Sequence, residues 1–494
     1  MSEAALDEIE RRAPVTGEVE TVDVEAVNRR EGRSLYAKRK KIYPKLARGT
    51  FRRLKWSLMA VTLAIYYLSP WLRWDRGPNA PDQAILIDMP GRRFYFFFIE
   101  IWPQEVYYLT GLLIIAAISL FLVTSLAGRL WCGYACPQTV WTDLFLAIER
   151  LVEGNRAARI RFDKRRWSIA KLARKMLKHA LWLVVALMTG GAWVFYFADA
   201  PTLAGMLWRF EAPMVSYLFI AILTFTTYLL GAIAREQVCI YMCPWPRIQG
   251  AMLDEETLTV TYRHDRGEPR GRYRKAETWE GRGHCIDCKQ CVAVCPTGID
   301  IRDGLQLECI SCALCIDACD DVMGRIGLPK GLIAYDTDGN IERRQRGEST
   351  RFKPLRVRTM VYAGIVLVVG AVMLVALLTR GSLDINVLRD RNPLFITLAD
   401  GSIRNGYTIK ILNKYHREGV FDLRIEGLTG AEIKLGGAAD SIRVPSDSLK
   451  SFRIFVSTPA AGIAAETTSI RFILRERESG ETSANDSQFR GPKR

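Results

Sequence analysis

Eight of the twelve cysteines fall within 35 residues, in two copies of one spacing. Cys285, Cys288, Cys291 and Cys295 form C-x2-C-x2-C-x3-C with Pro296 behind it; Cys309, Cys312, Cys315 and Cys319 repeat it, with Asp320 in the proline's place. The doubled run is the bacterial two-cluster ferredoxin spacing, in which three close thiolates grip one face of a cubane and the fourth comes from the other set. One [4Fe–4S] cluster is therefore expected on Cys285, Cys288, Cys291 and Cys319, and a second on Cys309, Cys312, Cys315 and Cys295. Structural zinc uses CxxC pairs separated by a dozen or more residues, unlike four cysteines in eleven. Disulfide scaffolds belong to short secreted chains, and this one has 494 residues.

The other four cysteines make two matched elements: Cys132-x3-Cys136-Pro137 in GRLWCGYACPQTVW and Cys239-x3-Cys243-Pro244 in AREQVCIYMCPWPRIQ. Each follows an apolar run, so a span plus CxxxCP reads as an internal repeat. Residues i and i+4 share a helix face, and each pair can present two sulfurs to one point. Soft thiolates select Cu(I), zinc or iron–sulfur centres, so Cys132, Cys136, Cys239 and Cys243 are expected to have a redox or metal role, with copper among the candidates. Met242 offers a thioether, though packing is its simpler role. Histidine is scarce: of four, His179 sits at the edge of a span and His264, His284 and His416 lie outside the spans. Paired haem b ligands are therefore unexpected, and no C-x-x-C-H marks c-type haem.

These cysteines need elements to place them. Five apolar runs approach the roughly 20 residues of a membrane helix: residues 56–71, 106–127, 181–198, 214–234 and 360–379. Residues 94–102 (FYFFFIEIW) are too short to span and suit an aromatic belt at the interface. Lys and Arg number 14 in residues 1–55 and 12 in 128–178, against 4 in 73–105 and one in 199–213. By the positive-inside rule, the N-terminus, loop 128–178 and segment 235–358 are expected in the cytoplasm and the tail after Arg380 outside. The formal +16 is thus largely an orientation signal; no basic stripe interleaved with aromatics suggests nucleic acid.

The tail alternates apolar and polar residues. Tyr407, Ile409 and Ile411 share one face, as do Phe452, Ile454 and Val456, and Ile470, Phe472 and Leu474. Asp400-Gly401, Asn405-Gly406 and Gly436-Gly437 read as turns between them, and six to eight short strands suit an immunoglobulin-like sandwich. Residues 1–34 and 483–494 are expected to be disordered. The expected organisation is an N-terminal cytoplasmic segment (1–55), a membrane domain with four spans and both CxxxCP elements (56–253), a cytoplasmic two-cluster ferredoxin domain (254–358), a fifth transmembrane helix (359–380) and a periplasmic immunoglobulin-like β-sandwich (381–494).

Together, the five spans, the WCGYACPQTVW and VCIYMCPWPRIQGAM elements, the eight-cysteine insert and the β tail resemble the FixG/CcoG/RdxA family of bacterial inner-membrane cytochrome c oxidase accessory proteins, membrane-bound polyferredoxins. The resemblance implies a role in assembling cbb3-type oxidases, with electrons passed through the clusters to reduce Cu(II) to Cu(I). It carries the eight ferredoxin cysteines over as cluster ligands and Cys132, Cys136, Cys239 and Cys243 as copper-proximal or electron-exit residues. Expected partners are a cytoplasmic electron donor, oxidase-assembly or copper-handling proteins, and membrane lipid. Two other classes stay open: a quinol-linked membrane ferredoxin of the NapH or NosR type, and a non-enzymatic assembly scaffold.

Overall fold

The structure is a computed structural model describing residues 19, 21–28, 40–77, 80–272, 279–436, 441–459 and 465–492. Among these, four helices are long and apolar enough to cross a membrane: Pro103–Ala127, Ile169–Val194, Met214–Ala234 and Val357–Leu378. They cover the second to fifth apolar runs. The first run differs. It lies in a helix, Thr50–Leu68, followed by a 3-10 turn at Ser69–Trp71. That helix carries Arg52, Arg53 and Lys55 near its start, and sixteen apolar residues rise only about 24 Å against a hydrocarbon core of about 30 Å. The third run begins earlier than expected, because Ser168 caps the helix by accepting from Lys171 N (3.2 Å) and its first turns hold the basic residues. The aromatic segment 94–102 is a hairpin: Arg93–Phe96 pairs with Ile99–Ile101 on one side and Ile85–Asp88 on the other.

Between the last two of these helices lies the cysteine-rich fold. Its short strands, Thr259–Tyr262 and Ile333–Asp336, pair antiparallel. Each cysteine set feeds a helix, Gln290–Val294 or Leu314–Arg325. Val260, Val292, Ile299, Ile316, Val322, Met323 and Ile333 close around the cysteines as a core. This fold also anchors Thr50–Leu68. The Asp317 carboxylate accepts from the backbone N–H groups of Phe51 (3.1 Å) and Arg52 (2.7 Å), supplying acceptors and negative charge where a helix needs both. A side chain at Gly49 would meet Asp317 Oδ1 at 2.3 Å. Much of the N-terminal segment expected to be disordered lies outside the described residues, but 21–28 is placed. Val22 N donates to Cys288 O (3.1 Å) and Val27 N to Gly298 O (2.8 Å).

The tail is a sandwich of two antiparallel sheets. Glu432–Leu435, Ser448–Thr458, Ile403–Asn413 and Leu383–Arg389 form one in that order, with Ile396–Thr397 beside Ile403–Asn413. Ile442–Val444, Gly419–Glu426, Thr467–Glu476 and Thr482–Arg490 form the other. The predicted faces point inward: Tyr407, Ile409, Ile411, Ile454, Val456, Phe472 and Leu474 are fully buried. Two expectations fail. Asn405-Gly406 is not a turn but lies within Ile403–Asn413, where Asn405 bonds the backbone of Arg490 through both amide atoms (2.8 and 3.2 Å). Residues 483–490 belong to the last strand, which is polar along its length and anchored by the buried Phe489.

Phe472→Ala should cost about 3–5 kcal/mol, and exposed Leu449→Ala should cost little. In the full chain, limited proteolysis of the tail should therefore accelerate by roughly a hundredfold to several thousandfold for the first variant and stay unchanged for the second.

Candidate metal centres

The two ferredoxin loops repeat one unusual backbone. Asp287 and Lys289 flank Cys288 with φ of 51° and 56°; Ser311 and Ala313 flank Cys312 with φ of 52° and 59°. Non-glycine residues pay to be left-handed, and such positions gather where the surroundings enforce them. Alternation of right- and left-handed residues turns successive N–H groups inward into an anion-holding concavity, a device common at iron–sulfur sites. Each loop borders a cavity. One is lined by Cys285, Cys288, Cys291 and Cys319 with Tyr262, Ile286 and Leu332. The other is lined by Cys295, Cys309, Cys312 and Cys315, with Cys291 between the two. The crossed grouping of cysteines and the inward N–H groups fit two four-iron cubanes. Arg302 borders the first cavity and is held by Asp300 (2.7 Å) and Asp287 (2.5 Å).

The CxxxCP elements repeat one another in three dimensions. The spans end at Gly128 (φ 56°, ψ −120°) and Arg235 (φ 49°, ψ −115°), the same rare conformation. A short helical turn follows each, Leu130–Tyr134 or Val238–Met242. Cys136 and Cys243 then adopt extended backbone, and new helices start at Pro137 and Trp245. The offset is 107 residues throughout (128 to 235, 132 to 239, 136 to 243). Glycine carries the left-handed turn freely in the first copy. In the second, Arg235 is held there by Glu149 Oε2 (2.9 Å) and Ala232 O (2.7 Å).

Both elements meet each other and the ferredoxin loop. Arg129 donates through one guanidinium nitrogen to Leu307 O and Cys309 O (3.1 Å), and through the other to Pro246 O (2.6 Å). Cys132 Sγ donates to Gln249 Oε1 (3.2 Å), and Gln138 Nε2 donates to Leu230 O (2.9 Å) and Arg235 O (3.1 Å). Gly133 lies flat on the second cysteine loop; a Cβ there would sit 2.8 Å from Ile310 O and 3.1 Å from Cys312 Cα. Tyr134 Oη donates to Cys312 O (3.4 Å). Burial pushes the Cys132 thiol up to about 12, the Cys136 and Cys243 thiols adding to it while Arg129 opposes. Cys239 is likewise pushed up to about 12 by burial and then by Cys136, Cys132 and Cys243. The four sulfurs thus share one electrostatic neighbourhood, and buried thiols release their protons readily only to a metal centre.

Several positioning residues are absent from the sequence reading: Arg129, Gly133, Gln249, Asp317 and Glu149. Glu149 is fully buried and pairs with Arg159 (3.2 Å) and Arg235 (2.9 Å). Only the GRLWCG context around Cys132 pointed toward the first two.

Family comparison agrees with this layout. Residues 234–338 match a 4Fe-4S dicluster domain, residues 109–153 a 4Fe-4S binding domain, and residues 373–492 the Ig-like fold at the C-terminus of FixG. The nitrogen fixation protein FixG of Rhizobium meliloti is 49% identical over 95% of this chain and 97% of its own length. Proteins RdxB and RdxA of Cereibacter sphaeroides are 52% and 49% identical, over 93% and 92% of this chain and 98% of theirs. The chain therefore belongs to the FixG/RdxA family and is an iron–sulfur electron-transfer protein with membrane helices.

Proposed function

We propose that this protein passes single electrons from a cytoplasmic electron donor to Cu(II), the substrate, at the CxxxCP elements, yielding Cu(I) for assembly of a cbb3-type oxidase in a bacterial inner membrane. The observation that carries this reading is the contact at Gly133, which lays the first CxxxCP turn on the backbone of Cys312. Cys285, Cys288, Cys291 and Cys319 would hold one cluster, and Cys295, Cys309, Cys312 and Cys315 the other; when bound, both supply one-electron carriers. The chain does the rest. The buried core around the cysteines excludes water, Arg129 fixes the cysteine loop against both CxxxCP elements, and soft sulfur at the boundary favours copper in its Cu(I) state.

We also read Thr50–Leu68 as a fifth span, its charged start held at the boundary by Asp317 and Asp143. Five crossings then put the N-terminus and the tail on opposite sides. The Lys and Arg bias places the ferredoxin fold in the cytoplasm and the sandwich in the periplasm.

Two outcomes are expected. Protein purified without oxygen, reduced with dithionite and freed of the excess, should reduce Cu(II), followed with a Cu(I)-specific chromophore. Paired Cys132→Ser and Cys239→Ser changes should abolish that reduction while the ferredoxin EPR signals persist; full activity in the double variant would end the proposal. For topology, alkaline phosphatase fused after residue 385 should be active and fused after residue 345 inactive. The reverse pattern would refute the assigned orientation.

A further inference from the structure

A buried hydrogen-bond donor near the boundary thiols, Arg129 Nε, has no acceptor among the described residues. Arg129 stands three residues before Cys132. Buried donors are paired in native proteins, so an orphan points to an acceptor not yet in place. The Arg129 charge also lies within reach of both Cys132 and Cys309, and would offset an anionic centre at that point.

The four thiols are arranged for a multinuclear centre. Sulfurs bound to a single zinc ion at about 2.3 Å would lie within about 4 Å of one another, and a lone copper ion in thiolate coordination is similarly compact. Among the described residues, no three of these four sulfurs lie within 4.8 Å of one another, and the same is true of the eight ferredoxin cysteines. A cubane spreads its cysteines over four separate irons, so its ligand sulfurs stand further apart than those on one ion. The match of residues 109–153 to a 4Fe-4S domain supplies only Cys132 and Cys136, half a ligand set. The other half stands 107 residues on, in the same backbone conformation, joined to the first through Arg129–Pro246 and Cys132–Gln249.

We propose that Cys132, Cys136, Cys239 and Cys243 together ligate a third [4Fe–4S] cluster at the membrane boundary, with the Arg129 guanidinium beside it. This rests on reading the CxxxCP elements as the electron exit and gives that exit its carrier, with copper met at the cluster's edge.

The test is iron and acid-labile sulfide per chain, with Mössbauer spectra, on the full-length protein reconstituted anaerobically. The wild type should hold about 12 irons rather than about 8. Cys239→Ala should lower the count to about 8 with the ferredoxin EPR signals intact, and adding Cys288→Ala should lower it to about 4. A wild-type count of about 8, unchanged by Cys239→Ala, overturns the proposal, and that wild-type count depends on no variant folding. If the count is 8 but Cys239→Ala still loses Cu(II) reduction, the cluster is refuted and the exit stands. If iron falls to 8 with reduction untouched, the cluster stands and the exit reading falls.

Discussion

One guanidinium holds three parts of this protein together. Arg129 leaves the end of a membrane helix and binds carbonyls of the second cysteine loop and of the helix following the second CxxxCP element. Backbone carbonyls in a loop have no ladder to satisfy them, and a buried one left unpaired is costly. The planar fork of arginine can serve several at fixed angles, which the single ammonium of lysine does not. An iron–sulfur fold that would otherwise be a separate soluble module is thereby seated on the membrane boundary, with Gly133 allowing the backbones to touch.

The seat is reinforced by buried charge. Asp143 meets Arg52, and Glu149 meets Arg159 and Arg235. Buried ion pairs are weak evidence for stability, because desolvation consumes most of their attraction, yet removing one partner strands the other at a cost of about 3–5 kcal/mol. Their effect here is on geometry: Glu149 keeps Arg235 in a backbone conformation that only glycine adopts freely, so the second CxxxCP element copies the first.

Much of this was legible in the residues. The eight-cysteine spacing imposes its own topology, because in that pattern the fourth cysteine of each set serves the other set's cluster. The charge-free runs at 106–127, 214–234 and 360–379 can hardly be anything but apolar helices, and period-two alternation marked the inner faces of the sandwich. What escaped depends on partners far away in sequence. Asn405-Gly406 looks like a turn until Arg490 arrives to bond the asparagine. Residues 483–490 look disordered because Phe489 is their one buried apolar side chain, and partners far away in sequence supply the rest. Asp317, lost among cluster cysteines, acts on a helix 265 residues earlier.

The separation of the two CxxxCP elements has a consequence for how the protein is made. The halves are 107 residues apart with one long apolar helix, Ile169–Val194, between them and the second half's own span. Only if that intervening helix threads the bilayer do the halves emerge on one face. A chain inserted in the wrong register leaves Cys132 and Cys239 on opposite sides of the lipid, and Arg129 without Pro246 to bind. Docking of the cysteine-rich fold through Arg129 therefore requires both halves on one face of the membrane.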